Sequence, residues 1–194
     1  MTITRRVSVE KNRLRFAAAH FATFFGDCEP LHGHNYVISV HLEGDITEDS
    51  WVWDFGDLKQ LTKDIADILD HKFILQRESR ILKIKENATN WEINHADKQY
   101  VFPKSDVIAL PIDNSTVERI AEWFAEQLAK SLSTRITPRL RFHFDVTIEN
   151  GSTTSLGELF PEYDLEWATI QIVDCPTTTG GCFLEYSNNG HSVH

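Results

Sequence analysis

Two histidines separated by one residue, His32-Gly33-His34, are the residues whose spacing points most directly to chemistry. The run 35–42 after them alternates like a strand, where residues two apart share a face. The run from Arg13 to His20 alternates in the same way. If these strands pair, His20 can complete a three-imidazole cluster. Three neutral imidazoles with an open fourth position form a catalytic zinc site.

Further reactive side chains lie near these histidines in the sequence. Cys28 precedes His32 by four residues, and a thiol becomes a base or nucleophile when its pKa is lowered. Asp70 and His71 follow the first predicted helix and add acid–base chemistry. A His at a helix end is also typical of a simple cap that the helix dipole favours. Adjacent side chains point apart, so this pair needs a turn to meet.

The rest of the chain predicts the elements that hold these residues. Hydrophobic periodicity indicates an α+β fold, ordered β-β-α-α-β-β, with an antiparallel sheet and two helices on one face. The segment 80–103 has short alternating pieces and predicts a hairpin-like surface excursion. The predicted strands are 5–20, 34–44, Leu140–Glu149, Trp167–Val173 and Cys182–Tyr186, and the predicted helices start at Asp54 (to Leu69) and at the capping box Ser115-Thr116-Val117-Glu118.

Composition sets limits on the kind of protein. The 194 residues suit one domain, 1–194, with insertions at about 80–103 and 140–166. The formal net charge of −10 disfavours a nucleic-acid partner, which needs a basic surface. No window approaches the roughly 18 apolar residues of a membrane span, and the N-terminal residues lack a signal-like apolar run. The expected location is therefore the cytoplasm, without a membrane partner.

Taken together, these motifs resemble the 6-pyruvoyltetrahydropterin synthase / 6-carboxytetrahydropterin synthase family. The resemblance covers most of the chain in order, apart from 80–103 and part of 140–166. The string Cys-x-x-Leu-His-Gly-His is its most specific piece. The matching segments are Phe16–His20, Cys28–Tyr36, Trp53–Phe55, Leu69–His71, Ser115–Glu118, Asp174–Thr177 and Phe183–Tyr186.

The resemblance implies a fold, an assembly and a set of roles. The implied fold is the tunnelling fold, in which sheets of several subunits join into a barrel, as a homotrimer or hexamer with sites at subunit contacts. The implied cofactor is Zn²⁺ on His20, His32 and His34. Cys28 is then the general base, and Asp70 with His71 assists it. The implied substrate is a small pterin, 7,8-dihydroneopterin triphosphate.

The residue that anchors the pterin is ambiguous. The family uses a glutamate at the end of a strand, whose carboxylate makes paired hydrogen bonds to the pterin. Asp174 has the expected strand parity, with Ile172 and Ile170, but is one methylene shorter. Glu149 is the alternative. Thr116, at the start of the second helix, aligns with a pterin-contacting threonine and is equally well explained as a helix-start residue.

Several activities are compatible with this resemblance. The favoured one is a zinc-dependent lyase that makes 6-carboxy-7,8-dihydropterin, a queuosine and deazapurine precursor, with loss of triphosphate. The alternatives are a 6-pyruvoyltetrahydropterin synthase of the tetrahydrobiopterin pathway and a divergent, non-catalytic pterin-binding oligomer. A third enzyme type cleaves the side chain to 6-hydroxymethyl-dihydropterin with a glutamate in place of the cysteine, and Cys28 counts against it.

Overall fold

A six-stranded mixed sheet backed by two helices forms the body of the protein. The computed structural model describes residues 5–44, 46–133, 142–155 and 168–174. The strand order is β10-β11-β4-β1-β5-β9. The strands of this sheet are β1 (Arg5–His20), β4 (His32–Gly44), β5 (Lys72–Gln76), β9 (Val107–Leu110), β10 (Phe142–Ser155) and β11 (Ala168–Asp174), and the helices are α1 (Phe55–Leu69) and α2 (Val117–Ser133).

The antiparallel pair β1–β4 forms the centre of the sheet. Its register sets His20 opposite His32 and Phe16 opposite Tyr36. The register shifts between Glu10 and Arg15, because β1 has more residues there than the part of β4 with which it pairs. Such a bulge changes which residues of a strand face the core. The buried positions accordingly change from odd to even along β1, and they are Val7, Val9, Leu14, Phe16, Ala18 and His20.

Both helices begin near their predicted starts, and α1 also ends at its predicted last residue. Asp54 caps α1, since its side chain accepts a hydrogen bond from the Asp57 amide. The predicted capping box of α2 is not formed as expected, because the Ser115 hydroxyl donates to the Phe21 carbonyl instead. The two helices pack on the β1–β4 face around residues such as Tyr36 and Phe124. This arrangement confirms the α+β class with its two helices.

Two strands between the helices were not predicted, and they make the sheet mixed rather than antiparallel. β5 pairs in parallel with β1, and β9 pairs in parallel with β5. The sequence of β5, Lys72–Gln76, is a short apolar run directly after α1. Periodicity alone cannot separate such a run from a helix end. His71 reverses the chain there with a φ of 57°.

The predicted excursion at 80–103 is a small antiparallel sheet of its own. Its strands are β6 (Lys83–Glu86), β7 (Asn90–His95) and β8 (Lys98–Pro103). The hairpin-like character is confirmed, but the segment also carries a core. Trp91 and Ile93 are buried in a second apolar cluster with Phe21 and Cys28. The excursion therefore packs against the loop that follows β1.

The remaining predictions fall near the C-terminus. β10 and β11 lie where the sequence predicts strands, and both pair antiparallel with β4. The predicted strand Cys182–Tyr186 lies outside the described residues. Among the helices that the structure describes, none has the length and apolar content needed to cross a bilayer.

Candidate metal and pterin site

The three predicted metal ligands come together at one end of the β1–β4 pair. His20 and His32 are direct cross-strand partners, and His34 lies on the same face two residues later. The ring centroids are 4.6 Å apart for His20–His32, 5.1 Å for His20–His34 and 4.8 Å for His32–His34. One ring nitrogen from each residue lies within 4.8 Å of the others. The strand pairing that the sequence suggested is confirmed.

Hydrogen bonds fix which nitrogen of His20 faces this cluster. Its Nδ1 is 2.8 Å from the Ser115 carbonyl oxygen, which can only accept, so Nδ1 carries the proton. Burial, followed by the neighbouring His32 and His34, lowers the pKa of His20 to about 4. The ring is therefore neutral at pH 7 and its Nε2 presents a lone pair. That Nε2 is buried and has no hydrogen-bond partner.

His32 is held in a similar way from the exposed side. Its Nδ1 donates to the Pro30 carbonyl oxygen over 2.7 Å, which leaves Nε2 for a ligand. A backbone carbonyl on the second nitrogen is the usual support of a metal-bound histidine. Gly33 between the ligands lets β1 approach, since a Cβ there would lie 3.1 Å from the Ala18 carbonyl oxygen.

The cluster fits a metal ion by its donor set and by its unpartnered atom. A buried polar nitrogen without a partner costs free energy, and an ion would supply that partner. Three nitrogens bound to a tetrahedral ion at about 2.1 Å are roughly 3.4 Å apart, so binding would draw the rings slightly together. The residues present could therefore hold a metal ion.

Sequence reasoning missed the residues that support His20. The Ser115 backbone amide donates to Gln76 Oε1 at 3.0 Å, and the Ser115 hydroxyl is 3.2 Å from His20 Nδ1. The sequence predicts for Ser115 only a place in the capping box of α2. The position of Ser115 in the chain could have indicated this role. It lies at the start of α2, close to the end of β5 at Gln76 and to the end of β1 at His20.

Cys28 occupies an unexpected environment. It ends a two-residue hairpin strand, β3 (Asp27–Cys28), which pairs with β2 (Thr23–Phe24). Only 5% of Cys28 is exposed, and its Sγ donates to the Glu29 carbonyl oxygen at 3.5 Å. Burial raises the pKa of the thiol, Lys98 lowers it and Glu29 raises it, with a net increase. The groups around Cys28 in the described chain therefore do not by themselves lower the thiol pKa as a general base requires.

Asp70 and His71 make contact, as their predicted pairing requires. His71 Nδ1 lies 3.0 Å from Asp70 Oδ2, and the positive φ of His71 supplies the turn that lets neighbours meet. The His71 side chain is 84% exposed. In the part of the chain that the structure describes, no hydrogen bond joins this pair to Cys28.

Of the candidate pterin-binding residues, Asp174 and Glu149 are located by strand register, and Thr116 lies just before α2. Asp174 is the Cα partner of Tyr36, on the alternation that includes His34 and His32, whereas Glu149 is the Cα partner of Val173. Thr116 precedes α2, and its carbonyl accepts from the Ile120 amide. The register thus aligns Asp174, rather than Glu149, with the strand positions of the histidines.

Fold and site together describe a sheet protein with a three-histidine cluster, in which His20 is buried and His32 exposed, that can hold a metal ion. The family model described as 6-pyruvoyl tetrahydropterin synthase matches residues 8–159, and the chain belongs to this family. A putative 6-carboxy-5,6,7,8-tetrahydropterin synthase of Methanocaldococcus jannaschii is 36% identical over 120 residues, which cover 61% of this chain and 74% of the relative.

Further relatives include other activities and solved structures. A 6-carboxy-5,6,7,8-tetrahydropterin synthase of Haemophilus influenzae is 42% identical over 74 residues, covering 34% of this chain and 52% of the relative. A dihydroneopterin monophosphate aldolase of Pyrococcus furiosus is 29% identical over 120 residues, covering 62% and 74%. The 6-pyruvoyltetrahydropterin synthase of Plasmodium vivax, solved as a glutamate-to-cysteine mutant of a catalytic residue, has a TM-score of 0.66 at 34% identity, covering 76% and 92%.

Proposed function

We propose that this protein is a zinc-dependent lyase that converts 7,8-dihydroneopterin triphosphate and water into 6-carboxy-5,6,7,8-tetrahydropterin, triphosphate and the two remaining side-chain carbons, released as acetaldehyde. The observation that carries the proposal is the three-histidine cluster with the unpartnered Nε2 of His20. The relatives named 6-carboxy-5,6,7,8-tetrahydropterin synthase support the carboxy product. The product in these names, 6-carboxy-5,6,7,8-tetrahydropterin, has two more hydrogens on its ring than the 6-carboxy-7,8-dihydropterin expected from the sequence.

The roles of the chain's residues follow from their positions. His20, His32 and His34 would hold the zinc ion, with His20 and His32 oriented by the carbonyls of Ser115 and Pro30. When bound, zinc supplies a Lewis acid that makes the hydrogens beside the side-chain hydroxyls more acidic. Cys28 would accept such a proton as a thiolate. Asp174, opposite Tyr36, would anchor the pterin ring.

We further propose that the complete site forms between subunits. Cys28 is buried beside the small sheet, whereas His71 is 84% exposed, and the two share no hydrogen bond among the described residues. An exposed imidazole tied to a carboxylate is suited to reach a neighbouring subunit. Assembly as a trimer or hexamer would bring His71 of one copy to Cys28 of the next, and would help the thiol lose its proton.

The relatives and the environment of Cys28 also favour a second candidate, cleavage of the pterin side chain to a 6-hydroxymethyl product. Glu29 is exposed beside a thiol whose pKa is raised by burial. The catalytic residue mutated in the Plasmodium vivax structure is a glutamate in the parent enzyme, and one relative is an aldolase. In this reading Glu29, not Cys28, takes the proton.

The two proposals are separated by product analysis. Zinc-loaded protein is incubated with 7,8-dihydroneopterin triphosphate, and products are identified by chromatography and mass spectrometry. A 6-carboxy product that disappears in Cys28→Ala and persists in Glu29→Gln supports the lyase. A 6-hydroxymethyl product with the reverse dependence supports cleavage by Glu29. A 6-pyruvoyl product contradicts both, and unchanged substrate with bound zinc indicates a binding protein.

A further inference from the structure

The small sheet β6–β8 contacts the Cys28 hairpin through both apolar and polar groups. Phe21, which enters the hairpin from β1, packs its ring 5.0 Å from that of Tyr100 on β8. Cys28 shares a buried cluster with Trp91 and Ile93 of β7. The sequence segments that resemble the family do not include 80–103, so the resemblance assigns no role to the contacts of the small sheet.

Polar side chains of the small sheet hold the hairpin backbone in its turn and at the end of its second strand. Lys98, at the start of β8, donates from Nζ to the Cys28 carbonyl oxygen at 2.6 Å. His95, at the end of β7, has its Nε2 2.9 Å from the Gly26 carbonyl oxygen, so this nitrogen donates. Gly26 has a φ of 90°, and its neighbour Phe25 has a φ of 49°. The tethers therefore fix a turn whose backbone would otherwise be free to relax.

The hairpin itself has few means of holding this geometry. Each of its strands is two residues long, and an isolated hairpin of that size is not stable in water. Phe24 and Phe25 at its tip are 67% and 93% exposed, so they contribute little packing. The position of Cys28 thus depends on contacts from outside the hairpin, those of Asn114 with Thr23 and those of the small sheet with Gly26 and Cys28.

We propose that Lys98 is a positioning residue for Cys28, and that the small sheet β6–β8 acts as a clamp that fixes the hairpin and places one positive charge beside it. Lys98 is half-buried, so its ammonium group is only partly screened by solvent. The charged groups that act on the thiol are Lys98 from β8 and Glu29 from its own loop, and they oppose each other. Titratable His95 faces the same hairpin at Gly26.

The catalytic consequence of this clamp rests on the proposed function, but the clamp can be tested without turnover. In a Cys175→Ser, Cys182→Ser background, the rate of alkylation of Cys28 by iodoacetamide is measured from pH 6 to 10. Lys98→Met removes the charge and one tether, whereas Lys98→Arg keeps the charge. Lys104→Met is the matched control, because Lys104 directly follows β8 and pairs with Glu86 instead.

The expected result is a rise in the apparent thiol pKa of Lys98→Met, so that its alkylation rate at pH 7, divided by its own rate at pH 10, is about three- to tenfold below that ratio in the parent, since a nearby positive charge favours the thiolate. Lys98→Arg should keep the alkylation profile of the parent, and Lys104→Met should match it. If Lys98→Met alkylates like the parent, or if Lys104→Met is equally impaired, the proposal is overturned.

A second variant guards against loss of folding. His95→Gln removes the other tether without changing the charge at Lys98, so it should alter the mobility of the hairpin while leaving the thiol pKa near the parent value. Hydrogen exchange of the Phe24–Cys28 amides should then increase, with metal content unchanged. Unaltered exchange in both His95→Gln and Lys98→Met would contradict the clamp. If the pterin assay shows no turnover while these results hold, the proposed function fails and the clamp stands.

Discussion

At the scale of single residues, the protonation state of His20 decides whether the cluster can bind a metal ion. The Ser115 carbonyl fixes the proton on Nδ1, and burial lowers the pKa to about 4. The ring therefore stays neutral well below pH 7 with its lone pair directed away from Ser115. The sequence indicated His20 as a ligand because of strand parity, but its support depends on a residue 95 positions away. No local pattern encodes such a contact.

We predict an acid-sensitive stability of the metal-free protein that originates at His20. The folded pKa of about 4 lies below the unfolded value of 6.5, so the unfolded state binds more protons between these values. The contribution is present in full above pH 6.5 and is lost as the pH falls toward 4, by on the order of 3 kcal/mol. Urea unfolding of metal-free protein at pH 7.5 and 5.0 measures it. His20→Gln should flatten this dependence, and an equal slope in both proteins would refute the assignment.

At the scale of elements, the end of α1 is joined to β1 through Asp70. Asp70 Oδ1 accepts from the Ala17 amide at 2.8 Å, and the His71 amide donates to the Ala17 carbonyl at 2.7 Å. Burial tends to raise the pKa of Asp70, but its hydrogen bonds from Ala17 and His71 produce a net lowering. The Asp70–His71 pair therefore joins the end of α1 to β1, independently of any catalytic role. A structural role at the helix end is also what the helix-cap interpretation of the sequence predicts.

We predict that Asp70→Ala destabilises the protein by about 1–3 kcal/mol, because the Ala17 amide loses its acceptor in a half-buried position. Asp67→Ala is the matched control, since Asp67 is exposed on the same helix and pairs with Lys63. Exposed pairs contribute little, so the control should change stability by less than about 1 kcal/mol. Chemical denaturation at pH 7 compares them. Equal effects would show that the Ala17 contact contributes nothing specific.

Elements with a strong local pattern were predictable from the sequence. β1, β4, α1 and α2 follow from alternation and helical periodicity, and the structure agrees with them to within a few residues. β5 and β9 were missed because each is a short apolar run whose identity as a strand is set by parallel pairing with distant residues. The burial of Cys28 was missed for the same reason, since β7 buries it from more than 60 residues away.

At the scale of the whole molecule, the proposed site between subunits has a consequence that a single chain cannot mimic. Cys28→Ala and His71→Ala each remove one half of every site, so each homo-oligomer should be inactive. After the two are dissociated and reassembled together, a site is complete wherever a His71→Ala subunit supplies Cys28 to a Cys28→Ala neighbour that supplies His71. In an equal random mixture, each of the two subunits at a contact is of the required type with a probability of about one half. A closed ring should therefore have about a quarter of the parent activity.

Turnover by the reassembled mixture is the measurement, and each variant taken alone through the same procedure is the control. If Cys28 and His71 acted within one chain, no mixed subunit would hold both residues and activity would stay at zero. Zero activity in a mixture that mass spectrometry shows to be mixed would therefore contradict the proposed subunit contact.

The most direct test of the account is a zinc titration of turnover. Metal-free protein is prepared by chelation, and activity on 7,8-dihydroneopterin triphosphate is measured as zinc is added in fractions of an equivalent. We predict that activity starts near zero, rises linearly and levels at one zinc per subunit, and that His34→Ala shows no such rise. Full turnover by the metal-free protein, or an equal rise in His34→Ala, would contradict the claim that the three histidines hold the catalytic metal.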